Sequence, residues 1–380
     1  MRPRKRRPNY WGLILTVLAV ALSVTLLVKP VKTLFYGTGL QADDQPGATV
    51  QAAVLDRYNM YINNRIASAL DGVLSVRKVY WLSDHDPVAP EPNQDLFGTA
   101  DSASKMGQFL QDAQVVLKGQ KTLFNTDITL MPGTKITYYL DETIMVITWK
   151  QVIHNAAYTF SEVRINHPSQ FRRFLSGGSY GSGIQLKTTD MAASVNAVVA
   201  SSGDFYAFRP AGIKVYEGMV RSANGKTVDT CFIDENGDLN FVRAGVMTKT
   251  EQVQAYVDEN NIRFSLSFGP VMIENGIKQP MDPKYAVGEI TSRYSRAALC
   301  QVDELHYLLV TANMENGFES VPNLTMLQQT LLDMGVKHAY ALDGGQTAAL
   351  VMNDQLINRV DWGVQRKISD IIYFATAIPG

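Results

Sequence analysis

Apolar positions along this chain fall into three textures. The first is an uncharged run from Tyr10 to Val28, preceded by Arg2, Arg4, Lys5, Arg6 and Arg7 and closed by Lys29-Pro30. As a helix with 1.5 Å rise, this run is about 28 Å long, close to the ~30 Å of bilayer hydrocarbon. Its Leu, Ile and Val residues favour insertion by roughly 3–7 kcal/mol in sum. The basic cluster predicts a cytoplasmic N-terminus, and Tyr10 and Trp11 suit the interface. A cleavable signal peptide would carry a shorter apolar run of about 7–15 residues and a small-residue cleavage site. Val28-Lys29-Pro30-Val31 is a poor one, so an uncleaved anchor is expected, and under either reading the body is exported.

The second texture has helical spacing. Over Val50–Val79, the residues Val54, Tyr58, Tyr61, Ile62, Ile66 and Leu70 recur every three or four positions, one apolar face of a helix. Residues 83–103 are rich in Pro, Asp and Ser and read as a loop or boundary. A second helix is predicted from Ser104 to about Leu117.

The third texture is β-like. Ile136–Leu140 and Thr143–Trp149, separated by Asp141-Glu142, read as strands, followed by Tyr158–Ile165. Asp190–Val195 reads as a short helix and Ala197–Ala200 as a buried strand. Asn224-Gly225, Glu235-Asn236-Gly237-Asp238 and Asn275-Gly276 supply the φ > 0 positions of tight hairpins. Leu324, Leu327, Leu331 and Leu332 share one face of a helix opened by Pro322-Asn323 and ended by Gly335. Strands outnumber helices without regular alternation, so the fold class expected is α+β with a mixed sheet. The predicted organisation is a basic cytoplasmic tail (1–9), a transmembrane anchor (10–28), a spacer and helical stem (29–135) and a main domain (136–380).

Composition and charge narrow the function. The 380 residues are 46% hydrophobic and 19% charged, which excludes a disordered or collagen-like chain. Residues 1–42 hold seven of the 35 Lys+Arg and no acid, leaving 28 bases against 36 acids in the body. That acidic body argues against a nucleic-acid partner, since phosphate binding needs surplus Lys and Arg. The two cysteines, Cys231 and Cys300, sit where a disulfide is chemically permitted, and two buried thiols is the favoured alternative. The five histidines lack metal-ligand spacing, and no metal or cofactor is expected.

Four stretches carry candidate chemistry. Asp204, after Gly203 at the end of a buried strand, is a carboxylate facing a cleft or a turn cap. Arg296 precedes an apolar strand and offers a bidentate fork to phosphate or carboxylate, or else a surface ion pair. In Asp343-Gly344-Gly345 two glycines can converge their amides into an anion-binding nest beside a carboxylate, though the same tripeptide also makes plain turns. In Arg366-Lys367-Ile368-Ser369-Asp370, Ser369 and Asp370 orient the arginine or cap a turn. P-loop, Rossmann and nucleophile-elbow patterns do not occur.

In order, these stretches resemble the phosphodiester glycosidase domain family over residues ~138–378. Ser202-Gly203-Asp204-Phe205-Tyr206 matches a strand ending Asn-Gly-Asp-Phe/Tyr-Phe/Tyr. Gly269-Pro270-Val271-Met272-Ile273-Glu274-Asn275-Gly276 matches Gly-Pro-x-Leu/Val-x-x-x-Gly. Arg296-Ala297-Ala298-Leu299-Cys300 approximates Arg-Thr/Ser-Ala-Ile-Gly. Leu342-Asp343-Gly344-Gly345-Gln346-Thr347-Ala348 partly matches Leu-Asp-Gly-Gly-Gly-Ser-Ser. Asn353 to Asn358 and Arg366 to Asp370 match the closing motifs. The chain departs from the pattern at Ser202, Ala297, Cys300, Gln346, Thr347, Ala348 and Ala312-Asn313.

The resemblance implies a mixed β-sheet phosphodiester glycosidase-like domain, here preceded by a transmembrane helix and a helical stem. It implies hydrolysis of a sugar-1-phosphodiester in an envelope or exported glycan. Asp343, Asp204 and Arg296 are the expected catalytic residues, with the roles of the two carboxylates open. Gly203, Gly344, Gly345, Thr347, Arg366 and Asp370 are expected to bind substrate. The partners expected are a sugar phosphate or polysaccharide and, through residues 10–28, a lipid bilayer at the cell membrane, with the main domain outside. The alternative is a catalytically degenerate carbohydrate-binding or polysaccharide-assembly protein on the same fold.

Overall fold

The computed structural model describes residues 82–83, 88–100, 136–141, 143–285, 289–315 and 320–377. The expected tail and anchor (1–28) and the helices over Val50–Val79 and Ser104 to Leu117 lie outside the described residues. Among the described residues no helix is long and apolar enough to cross a membrane.

The α+β class holds, with four sheets and three helices of seven or more residues among the described residues. The largest sheet runs β1 (Phe97–Ala100), β2 (Ile136–Leu140), β3 (Ile144–Ile153), β4 (Ala156–Ile165), β15 (His306–Asn313), β14 (Arg296–Asp303), β16 (His338–Leu342), β12 (Val271–Glu274), β13 (Ile277–Lys278). A five-stranded sheet runs β18 (Gln355–Leu356), β17 (Leu350–Met352), β6 (Val199–Ser202), β19 (Asp370–Phe374), β5 (Phe171–Leu175). Smaller sheets pair β10 (Leu239–Val242), β9 (Thr230–Asp234) and β11 (Ile262–Leu266), and β7 (Gly212–Tyr216) with β8 (Met219–Asn224). The mixed sheet expected from sequence is antiparallel in every pairing between these strands, with one parallel bridge at Ala156–Ser320. Short turns join several neighbours, and antiparallel pairing is what a two-residue turn permits.

Alternation along the strands divides two cores. In β14, Ala297 and Leu299 face the core shared with the five- and three-stranded sheets. Ala298 and Cys300 face the opposite core, which helix α3 (Leu324–Asp333) closes with Leu324, Leu327 and Leu331. Asn323 caps α3 through its side-chain oxygen, and Gly335 follows at φ 76°, as the sequence predicts. Helix α1 (Thr188–Ser194) covers the outer face of the five-stranded sheet. Helix α2 (Thr250–Glu259) was not legible, because only Val253 and Val257 face the core.

Two boundaries move. The stem expected over 29–135 gives up Phe97–Ala100, which pairs with β2 as an edge strand, while Leu82 and Ala89 join the core under α1. Backbone pairing makes that strand, so its side chains show no alternation. Asn224-Gly225 does not turn a hairpin within one sheet. The β7–β8 turn is at Glu217-Gly218, with φ 53° and 69°. Asn275-Gly276 does turn β12 into β13. Cys231 and Cys300 are free buried thiols, raised by desolvation.

Candidate active site

Strand pairing brings the four stretches into two adjacent clusters. In the first, Ala297 lies opposite Leu342, so Arg296 and Asp343 stand one residue further out on neighbouring strands. The loop leaving β16 folds back on the start of β14, where the Gly345 N–H donates to the Ser295 carbonyl at 2.7 Å. A Cβ on Gly344 would lie 2.4 Å from that oxygen, which excludes any side chain there without rearrangement. Thr347 is buried and its hydroxyl donates to the Gly344 carbonyl at 2.6 Å.

Asp343 is half-buried at this loop, and its carboxyl is pushed up to about 6. Desolvation is the main cause. Hydrogen bonds from Thr347 and the Gly344 N–H, with the charge of Arg366, pull it down, and Asp204 adds to the rise. Arg366 is exposed and leans over the Phe208 ring, 5.4 Å from its centroid. Gln346 donates to the Val364 carbonyl at 2.9 Å and ties this loop to the segment that leads to Arg366.

The second cluster is buried. Ile371 pairs with Ser202, so Asp370 lies beside Gly203. Arg173 of β5 donates from Nη2 to Asp204 at 3.0 Å and from Nε to Asp370 at 2.8 Å. The Arg173 side chain is 3% exposed and both carboxylates 0%. Asp204 also accepts from the Tyr206 and Ser267 backbone N–H groups at 2.8 and 2.9 Å. Burial pushes Asp370 up, with Arg173 opposing and Asp204 adding to it. Arg173, held between two acids, stays charged. Such a pair survives only if every lone pair and proton is satisfied, which these contacts approach.

Several expectations are therefore redrawn. Arg296 is 3% exposed and stacks on Tyr294, 3.7 Å from its centroid, while its Nη2 donates to the Glu289 and Ser292 carbonyls. It braces the 289–295 loop rather than opening a fork to solvent. The glycine pair is not an open nest, because the Gly345 N–H serves the Ser295 carbonyl. Gly203 gives its N–H to the Asp370 carbonyl, and a Cβ there would lie 2.2 Å from the Asp370 carboxylate. Its smallness admits that carboxylate; it does not present an amide to a ligand. Asp370 pairs with Arg173, not with Arg366. Asp204 is sealed from solvent, so of the two carboxylates Asp343 alone is accessible.

Arg173 and Lys214 escaped the sequence reading. Lys214 is buried and donates to the Tyr206 and Arg209 carbonyls at 2.6 Å each, fixing the loop after Asp204. The signal was available for Arg173, since Arg172-Arg173 interrupts an otherwise apolar strand and a buried arginine requires an acid partner. Among the described residues no group of His, Cys, Asp and Glu is placed to hold a metal ion.

A family model described as phosphodiester glycosidase matches residues 195–375. No curated protein matches the chain. Among solved structures, the zebrafish N-acetylglucosamine-1-phosphodiester alpha-N-acetylglucosaminidase catalytic domain, auto-inhibited by its pro-peptide, aligns at 16% identity and a TM-score of 0.49. That alignment covers 61% of this chain and 82% of the zebrafish chain. A hypothetical protein from Synechocystis aligns at 14% identity and a TM-score of 0.45, over 64% of each chain.

Proposed function

Because residues 195–375 match a family model described as phosphodiester glycosidase, we propose that the chain hydrolyses sugar-1-phosphodiesters of an envelope or exported glycan. Water adds to the anomeric carbon, the bond from that carbon to the phosphate oxygen breaks, and the phosphate leaves with the electron pair. The products are a free sugar and a phosphomonoester. A phosphate is already a good leaving group, so the demand falls on holding it and on activating water at an oxocarbenium-like centre.

One observation carries the reading: Asp343 is the accessible carboxylate of the cluster, poised at about 6 beside the exposed Arg366. A group titrating near the working pH is suited to general-base catalysis. Ionised Asp343 takes the proton of the attacking water and faces the developing positive charge on the sugar. Arg366 receives the phosphate, and the Phe208 ring supports its guanidinium from beneath. Arg296, Asp204 and Asp370 act as positioning residues, through the 289–295 loop and through Arg173. Thr347 holds the Gly344 carbonyl and so fixes the loop that carries Asp343.

A second reading has its own support. The Gly345 amide is already engaged and Arg296 is turned to loop carbonyls, which leaves fewer donors for a phosphate. That supports a glycan-binding protein without turnover on the same fold. The test is the full chain in detergent with a panel of hexose-1-phosphodiesters and their N-acetylated analogues. Turnover that vanishes in Asp343→Asn supports hydrolysis; saturable glycan binding without turnover supports the binding protein. We further propose that residues 10–28 anchor the chain in the membrane with the domain outside, on the strength of the apolar run and its basic N-terminal flank.

A further inference from the structure

The end of the large sheet that carries Asp343 also carries a hollow. A cavity of about 520 Å³ is lined by Asn155, Arg293, Tyr294, Ser295, Ser320 and Asp361, with Met314 and Val321 as its apolar part. Asn155 is in the turn before β4, Met314 follows β15, and Arg293 to Ser295 lead into β14. The strand order β4-β15-β14-β16 then sets this cavity and the Asp343 loop side by side along one edge. Three strand spacings of about 4.8 Å make that edge roughly 14 Å long.

The cavity and the Asp343 loop share residues. Ser295, which lines the cavity with its side chain, holds Gly345 with its carbonyl. Tyr294, another lining residue, is the ring on which Arg296 stacks. The buried Ser295 hydroxyl also donates to Asp361 and fixes that carboxylate at the cavity. Arg293 is anchored through the Ser320 hydroxyl at 3.0 Å and remains exposed. On the turn after Asp361, Trp362 stands 83% exposed in a left-handed conformation (φ 60°). Hydroxyl and carboxylate groups held by hydrogen bonds, the exposed Asn155 amide and an indole nearby match the hydroxyls and apolar face of a sugar ring. Arg293 adds a guanidinium that suits a carboxylate or phosphate substituent.

We propose that this cavity is a second sugar subsite, which takes the residue next to the cleaved linkage in an anionic glycan. The inference rests on the hydrolase reading for its place in the reaction, and not for the binding itself. The chain thereby prefers phosphodiesters extended by an acidic sugar over minimal ones.

The experiment compares the full chain in detergent on a methyl hexose-1-phosphodiester with the same diester extended by one glucose or one glucuronic acid. Extension by glucuronic acid is expected to raise kcat/KM by about tenfold or more, the worth of one charge-assisted hydrogen bond, and glucose by less. Arg293→Ala removes the acid-over-neutral preference and leaves the methyl diester unchanged. Equal rates on all three substrates, or a preference that survives Arg293→Ala, overturns the subsite. If no substrate turns over, the hydrolase reading falls, and calorimetric binding of the glucuronic acid diester decides the subsite alone. Weaker binding in Arg293→Ala upholds it, and unchanged or absent binding overturns it.

Discussion

The proposed role of Asp343 as general base rests on a balance of opposed effects. Burial raises its carboxyl to about 6, and Thr347, Arg366 and the Gly344 amide hold it from going higher. As general base it must be ionised, so kcat/KM is expected to rise with pH and level off above about 6. Asp343→Asn removes that rising limb and lowers kcat by roughly 10²–10⁴-fold in steady-state assays. Arg366→Ala acts on the same group from outside. Loss of a nearby cation favours the neutral acid, so the limb moves to higher pH, and KM for the diester rises. An unshifted limb in Arg366→Ala would show that the two side chains do not share a site.

At the scale of the element, the ends of β6 and β19 meet through a carboxylate packed against a glycine. Gly203→Ala places a Cβ into Asp370 and is expected to lower stability by about 1–3 kcal/mol, read by urea denaturation. The ion pairs that join β5 to these strands are more sensitive. Arg173→Met leaves two carboxylates buried without their cation, a loss of about 3–5 kcal/mol at neutral pH. The remaining loss depends on pH in a definite sense. With the arginine gone, the Asp370 carboxyl, already raised by burial, loses the cation that opposed the rise, so the native state binds its proton more tightly. Stability is then greatest below the unfolded carboxylate range and falls as pH climbs through the raised value. Melting curves of Arg173→Met from pH 4 to 8 should show Tm falling throughout, and a Tm independent of pH would contradict the pairing.

On the scale of the whole molecule, the proposed anchor over residues 10–28 and the export of the domain are tested by fractionation. Alkaline carbonate is expected to leave the full chain in the membrane pellet and to release a chain lacking residues 10–28. External protease should reach the domain in spheroplasts. Much of the domain was legible in the same way, because periodicity is local. Runs of β-branched and aromatic residues marked β3 and β4, the leucine spacing with Asn323 and Gly335 bounded α3, and Asn275-Gly276 marked a hairpin. Ordered motifs pointed to the family whose model matches residues 195–375. The edge strand Phe97–Ala100 and helix α2 were not legible, since backbone pairing makes the first and two valines alone bury the second.

The chain by itself determined which residue types arrive at the strand ends, because side-chain chemistry and local spacing are written residue by residue. Which of them face a ligand was decided by the tertiary structure. Arg173 closes on Asp204 and Asp370 from 31 and 197 positions away, and Ser295 and the loop carbonyls consume the glycine amide and the arginine that the motifs offered. Partnership of that kind depends on distance in space and on desolvation, and neither quantity exists until the sheets have packed.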